Sequence, residues 1–342
     1  MTRQDIIVVG ASAGGVEALT ALVADLPEDL PAAVFIVLHL APAAPSALHR
    51  ILGRRTKLPV IQPDEGQPGV PGTVFVAPPD RHLVLAGGAV CLAGGPKENG
   101  HRPSIDTLFR SAAATYEDRV AGVVLSGTSD DGTAGLRAIH AGGGVTIVQD
   151  PEEALFPGMP RNALAGDSPD YVLPLTAIAA LLSELASHDV AQGGMSGTMD
   201  DELDAELRWA NADLASPAPP DPPLGSPSGF TCPECHGALW EIDEEEDFPR
   251  FRCRVGHGFS ARSLVATQQT GVEAALWTAY RALEERAALF RRLAERSHAR
   301  QADITAEHFR AEGAEVERQA KVLRSVLWSR GRGEEESEAT EG

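Results

Sequence analysis

The sequence predicts an α/β fold: a doubly wound, mostly parallel sheet with a small antiparallel edge hairpin. A C-terminal zinc-binding β module and an α-helical hairpin follow. Three observations predict this. Strand-like and helix-like segments alternate from residue 1 to about 188, the mark of a layered α/β fold. A C-x-x-C pair followed by C-x-x-x-H stands at 232–257. Two apolar stripes with steps of three and four residues run from Val272 to Leu327.

The first strand is Ile6-Ile7-Val8-Val9, four apolar, mostly β-branched residues suited to a strand buried on both faces. Gly10-Ala11-Ser12-Ala13-Gly14-Gly15 then turns the chain, and an amphipathic helix runs from Val16 to about Leu26, closed by Pro27. Gly10, Ser12 and Gly14 match G-x-S-x-G, which exposes a serine on a tight strand-to-helix turn. The dinucleotide loop G-x-G-x-x-G matches only in part, because Ser12 takes the place of the middle glycine. The second strand, Val34 to Leu38, ends in His39 rather than the acidic residue a Rossmann-like dinucleotide site wants. A serine and a histidine at successive strand ends suit a nucleophile and its base. Taken singly, Ser12 also suits a helix N-cap and His39 a packed strand-end residue.

Further helices are expected near Ser46–Arg54, Pro103–Tyr116, Gly132–Ala141 and Leu175–Ala186. Further strands are expected at Thr73–Ala77, Val120–Leu125 and Val145–Gln149. His82–Ala86 and Ala89–Cys91 form a hairpin through Gly87-Gly88. The strand Val120–Leu125 runs into the polar loop Ser126–Gly132, which carries Asp130 and Asp131. In open α/β sheets, sites form outside the carboxyl ends of the strands, where Ser12, His39 and this aspartate pair all fall. A carboxylate is what a histidine base needs to fix its tautomer. His82, His101 and Arg102 suit either a substrate cleft or loop packing.

Composition narrows the function. The chain has 342 residues, 43% of them hydrophobic, with a formal charge of -20. So acidic a chain is a poor partner for nucleic acid or anionic membrane. A strand within five residues of Met1 leaves no room for a signal peptide, and the apolar run 32–40 falls far short of the ~20 residues that membrane insertion needs. Four cysteines do not form a secreted disulfide framework, so a cytoplasmic protein is expected.

Six segments now carry a resemblance. Val9–Gly15, Val37–Leu40, Val76–His82, His101–Phe109, Leu125–Gly132 and Gly158–Pro160 stand in the order of the catalytic domain of CheB-type protein-glutamate methylesterases. The chain resembles that family over residues 5–185. The resemblance implies Ser12 as nucleophile, His39 as base and Asp131 as the orienting acid, Asp131 being the aspartate that immediately precedes the loop glycine. It implies a methylated receptor protein as substrate, release of methanol, possible use of glutamine as a second substrate, and no cofactor for catalysis. Backbone N–H groups around Ala13, Gly14 and Thr128 are the candidates to hold the oxyanion. Ala13 stands where the family often has threonine, and Thr128 where it often has methionine. The chain opens at the catalytic strand without the family's receiver domain, so control by its own phosphorylation is not expected.

Residues 1–188 are thus read as the catalytic domain, and 189–229 as a Pro/Gly-rich linker with a short acidic amphipathic stretch at Asp200–Leu214. Residues 230–262 are read as a zinc-ribbon-like module. Cys232, Cys235, Cys253 and His257 suit tetrahedral structural zinc, and so small a piece lacks core enough to fold without a staple. His236 is the alternative fourth ligand, hampered by its adjacency to Cys235. Residues 263–330 are read as a helical hairpin or coiled coil. Its stripes are Val272, Leu276, Tyr280, Leu283, Ala287, Phe290 and Ala294, then Ile304, Phe309, Val316, Leu323 and Leu327, which suit equally a surface for self-association or partner docking and a simple hairpin packed on the zinc module. Residues 331–342 are read as a disordered acidic tail. The competing functions are a nucleotide-binding regulator using Gly10–Gly15 and a non-catalytic adaptor working through the C-terminal modules.

Overall fold

The computed structural model describes residues 3–39, 46–187, 225–242 and 248–340, with side chains up to residue 329. Its strands β1 (Ile6–Ala11), β2 (Ala33–Leu38), β3 (Val60–Ile61), β4 (Val74–Val76), β5 (His82–Ala86), β6 (Ala89–Ala93), β7 (Val120–Val124), β8 (Val145–Gln149) and β9 (Tyr171–Leu173) alternate with helices. The helices are α1 (Gly15–Asp25), α2 (Leu48–Leu52), α3 (Ile105–Tyr116), α4 (Thr133–Ala141), α5 (Gly158–Gly166) and α6 (Leu175–Ser187). Seven of these strands form one sheet in the order β3-β4-β2-β1-β7-β8-β9, and every pairing in it is parallel.

The two-residue period of β1 explains the layering. Ile7, Val9 and Ala11 enter one core with Leu19 and Leu22 of α1 and Leu182 of α6. Ile6 and Val8 enter the opposite core with Leu108 and Phe109 of α3 and Ile139 of α4. A strand covered on both faces has no use for polar alternation, which is why β1 and β2 read as continuous apolar runs. From β1 the chain winds to β2 on one side, and β7 lies on the other, so the carboxyl ends of β2, β1 and β7 stand side by side.

The hairpin β5–β6 differs from the expected edge addition: it is a two-stranded sheet of its own. Its Leu83, Leu85 and Val90 pack into the α3 core. Side chains of α3 also satisfy its open edge. Leu85 N–H donates to Ser111 Oγ at 3.0 Å, and Thr115 Oγ donates to Leu85 O at 2.8 Å. The short elements β3, β9 and α5 escaped the pattern reading because two- and three-residue strands and a nine-residue helix carrying Pro160 have little periodicity to show.

Beyond residue 224, β10 (Ser226–Thr231), β11 (Ala238–Ile242), β12 (Arg250–Cys253) and β13 (Gly258–Ser260) make a four-stranded antiparallel sheet. Its small core is Leu239, Phe251, Phe259 and Leu264 with Cys232 and Cys253. β10 begins inside the stretch read as linker; the rest of that linker, including the Asp200–Leu214 segment, lies outside the described residues. The described chain divides into two compact units, Met1–Leu264 and Val265–Gly342, so the Cys/His module belongs with the layered α/β part.

The second unit is built from α7 (Ala261–Ala299) and α8 (Asp303–Thr340). Trp277 meets Trp328 with ring centroids 5.4 Å apart, and Phe290 meets Phe309 at 6.2 Å, the pairing of an antiparallel hairpin. Ala287, Ala294, Val316 and Leu327 are buried as the stripes predict. Val272 and Ile304 are not: they are 49% and 91% exposed, and Ala306 takes the buried position in the second helix. The backbone of α8 is helical on to Thr340, where a disordered tail was expected. Among the described residues no helix is long and apolar enough to cross a membrane.

Candidate active site

Gly14 makes the turn at the end of β1 possible. Its φ of 68° lies in the left-handed region that a side chain disfavours, and it caps the N-terminus of α1. The turn is pinned at Ser12, whose N–H donates to Ser126 O at 2.9 Å and whose carbonyl accepts Gly15 N–H at 2.9 Å. Ser126 Oγ in turn donates to Ala13 O at 2.8 Å, tying the loop after β7 to the loop after β1.

His39 emerges from the end of β2, its N–H on Ala11 O at 3.1 Å. Its Nδ1 lies 3.2 Å from Ser12 Oγ and its Nε2 lies 2.7 Å from Asp131 Oδ2. A carboxylate accepts, so Nε2 carries the proton and Nδ1 presents its lone pair to the serine hydroxyl. The imidazole is 5% exposed and the Asp131 side chain 0%. His101 stacks on the His39 ring at 3.6 Å and 10°. Burial, then the neighbouring His39 charge, lowers the His101 pKa to about 4, so the stacked ring is neutral.

Asp131 sits at the N-terminus of α3. Ile105 N–H donates to Oδ2 at 2.7 Å. Asp106 N–H (3.2 Å), Ser104 Oγ (2.9 Å) and Asn99 Nδ2 (3.0 Å) donate to Oδ1. Burial opposes its ionisation, but the hydrogen bond and charge of His39, with His101 and Asn99, hold the carboxyl below the usual carboxylate range. Asp106 behaves oppositely: burial, then the charge of Asp131, pushes it well above that range. Asn99 Nδ2 donates to both carboxylates, 2.8 Å from Asp106 Oδ2.

The structure thus brings Ser12, His39 and Asp131 together. It sends Asp130, the other member of the pair, to Ser260, whose Oγ donates to Asp130 Oδ2 at 2.6 Å. Ala13 and Gly14 follow Ser12 on its own turn, where the first N–H groups of α1 find no partner inside the helix. Thr128 is exposed on the facing loop. Of the three residues left open between cleft and packing, His101 reaches the site. His82 is buried, donating from Nε2 to Pro96 O at 3.0 Å and accepting Ser104 N–H on Nδ1 at 3.3 Å. Arg102 clamps Asp80 and the carbonyls of Gly94 and Gly95.

Cys232, Cys235, Cys253 and His257 converge in the module, their ligand atoms all within 4.8 Å of one another. Cys235 Sγ–Cys253 Sγ is 3.6 Å, Cys253 Sγ–His257 Nδ1 3.5 Å and Cys232 Sγ–His257 Nδ1 3.8 Å. These are the edge lengths of a tetrahedron with zinc–sulfur bonds of about 2.3 Å. All three thiols are free, and His236 lies outside the cluster. Burial raises the Cys232 thiol to about 12, which makes a bare thiolate there unfavourable.

Sequence reasoning missed Asn99. Nothing in Glu98-Asn99-Gly100 marks a residue whose amide will reach two carboxylates. It missed the roles of Ser104, Asp106, Ser260 and Ser263 for the same reason, since each acts across a contact that only the fold creates.

The family model for the CheB methylesterase matches residues 7–182, more than half of the chain. A relative from Leptospira interrogans is 36% identical over 189 residues, 55% of this chain and 98% of its own length. The protein-glutamate methylesterase/protein-glutamine glutaminase 2 of Anaeromyxobacter dehalogenans is 40% identical over 183 residues; this chain spans about half of it, 54%. Among solved structures, the Thermotoga maritima CheB methylesterase catalytic domain matches with a TM-score of 0.51 and 33% identity, covering 54% of this chain and 99% of that one. The chain belongs to the CheB methylesterase family.

Proposed function

We propose that this chain is a protein-glutamate methylesterase acting on methylated chemoreceptors, and that it also hydrolyses glutamine side chains to glutamate. The observation that carries the reading is the unbroken path Ser12 Oγ–His39 Nδ1–His39 Nε2–Asp131 at 3.2 and 2.7 Å. The proteins it resembles, named for these two activities, supply the substrate class.

Ser12 Oγ attacks the carbonyl of the glutamyl methyl ester while His39 Nδ1 takes its proton. Negative charge develops on the carbonyl oxygen, and the N–H groups of Ala13, Gly14 and Thr128 are the donors to meet it, each worth about 3 kcal/mol in such a site. His39 passes the proton to the departing methoxide, and methanol leaves. Water, deprotonated by the same nitrogen, then cleaves the acyl-serine. Asp131 stays ionised throughout, stabilising the imidazolium and holding its tautomer. An amide substrate follows the same steps and releases ammonia.

Cys232, Cys235, Cys253 and His257 would hold a structural zinc in this reading. Four protein ligands would leave no open position for substrate, and every catalytic step above is assigned to Ser12, His39 and Asp131.

The test is Ser12→Ala. Methanol release from a methylated receptor should fall roughly a thousandfold or more, with the thermal midpoint unchanged within a few degrees. An active variant removes Ser12 as the nucleophile.

A further inference from the structure

Asn99 is held from two directions. Its Nδ2 donates to Asp106 and Asp131 of the catalytic part, while its Oδ1 accepts Ser260 N–H at 2.9 Å and Ser263 Oγ at 2.8 Å from the module. Both donors and both lone pairs of the amide are in use. A backbone N–H only donates, so Ser260 fixes the oxygen end of the amide and thereby aims the NH2 end at the carboxylates. The residue is 5% exposed and has a φ of 52°, a conformation that asparagine tolerates better than most side chains.

The segment that grips Asn99 is continuous with the Cys/His knuckle. Cys253 N–H donates to His257 O at 3.0 Å, and Gly256 N–H donates to Cys253 O at 2.9 Å. The next residue, Gly258, accepts Asn99 N–H on its carbonyl at 2.8 Å and donates to Lys97 O at 3.2 Å. A Cβ on Gly258 would stand 2.3 Å from Glu98 Oε2, so a side chain there would push against the Glu98 carboxylate. The buried Glu98 carboxylate is shared by Arg110 of α3 and by Arg250 and Arg252 of β12, flanking the same knuckle. Ser260 adds its hydroxyl bond to Asp130, next to Asp131 in the chain.

We propose that the Cys3His module is a metal-dependent positioning element for the active site, acting through Ser260, Ser263 and Asn99 on Asp131. Resting on the reading of Asp131 as the acid that orients His39, the proposal makes metal occupancy a control on turnover. With zinc bound, the knuckle holds Ser260 and Ser263 on the Asn99 oxygen, and the Asn99 amide bridges Asp106 and Asp131 and keeps its N–H on the ionised Asp131. Without it, the 253–263 segment loosens, the amide is free to turn, and Asp131 loses one of the donors that hold it ionised. The relative from Leptospira and the solved Thermotoga catalytic domain are each matched over nearly their whole length by little more than half of this chain.

The experiment uses the full chain, with zinc alone removed by chelation and returned. Two readouts are taken: methanol release from a methylated receptor, and the downfield proton resonance of His39 Nε2–H on Asp131. Removal of zinc and Ser263→Ala should each lower kcat roughly tenfold with KM unchanged within about twofold, and should shift that resonance. Asn99→Ala should do so more strongly, and zinc should have no effect in its presence. Active protein whose kcat and resonance ignore zinc and Ser263→Ala overturns the proposal. A resonance that responds to zinc in protein that releases no methanol upholds the coupling and removes the methylesterase reading instead. Should Asn99→Ala fail to fold, Ser263→Ala and zinc removal decide alone.

Discussion

His39 divides its work between two nitrogens, and the division follows from its neighbours. Asp131 accepts the hydrogen bond of Nε2–H at 2.7 Å, which keeps the proton on Nε2 and leaves Nδ1 basic toward Ser12. His82 shows the opposite use of the same side chain. It is buried with both nitrogens bonded to backbone, and desolvation lowers it from 6.5 to about 4. In the unfolded chain His82 takes its proton near 6.5, so between that pH and about 4 the unfolded state binds more protons. Stability therefore rises with pH across this window; the contribution is complete above it and is lost as pH falls toward 4. At full extent it is worth about 3 kcal/mol. His82→Gln removes the titration, so the loss of urea stability from about pH 7 to pH 4 should shrink by that amount. An unchanged acid limb would place the titration elsewhere. Little of this residue chemistry is visible in one dimension: His39 announces itself by following the carboxyl end of a strand, while His82 opens a strand, where its spacing suits a cleft and packing alike.

At the scale of elements, the N-terminus of α3 serves as a receptor for the Asp131 carboxylate. Its first N–H groups lack partners within the helix, and Asp131 accepts two of them, from Ile105 and Asp106. Ser104 caps that helix, accepting Thr107 N–H at 3.4 Å while donating to Asp131 at 2.9 Å. Ser104→Ala should therefore cost about 1 kcal/mol of stability as a lost cap and also lower kcat severalfold. Loss of stability alone, with kcat intact, would leave Ser104 a cap and nothing more. The segment His101–Phe109 is recognisable in the sequence, yet its reason for being there is not. The element reads as an ordinary amphipathic helix until the fold brings the loop after β7 against its end. The hairpin β5–β6 teaches the same lesson: its turn is written in Gly87-Gly88, but its place is set by Ser111 and Thr115 of α3.

For the whole molecule, the question is what makes so small a four-stranded sheet stable on the side of a catalytic domain. Its own apolar core is only a handful of residues, and a metal held by three thiolates and an imidazole would be a sufficient staple. Elemental analysis should find about one zinc per chain, and removing it should lower the unfolding temperature of the purified protein. Metal-free protein with the same melting curve would mean that the buried Glu98–Arg250–Arg252 contacts hold the module unaided.

The sequence by itself determined the layered α/β class, the three strand ends that carry Ser12, His39 and Asp131, the Cys/His spacing and the helical stripes. All of these are local: a strand period, a turn glycine, a ligand interval, a helical repeat. Only the tertiary structure decided that Asp130 turns to Ser260, that the hairpin forms its own sheet, and that Ser260 and Ser263 grip Asn99 from more than 160 positions away. Those outcomes depend on which buried polar groups can satisfy one another once the chain is packed, and the order of residues along a strand or helix does not contain that information.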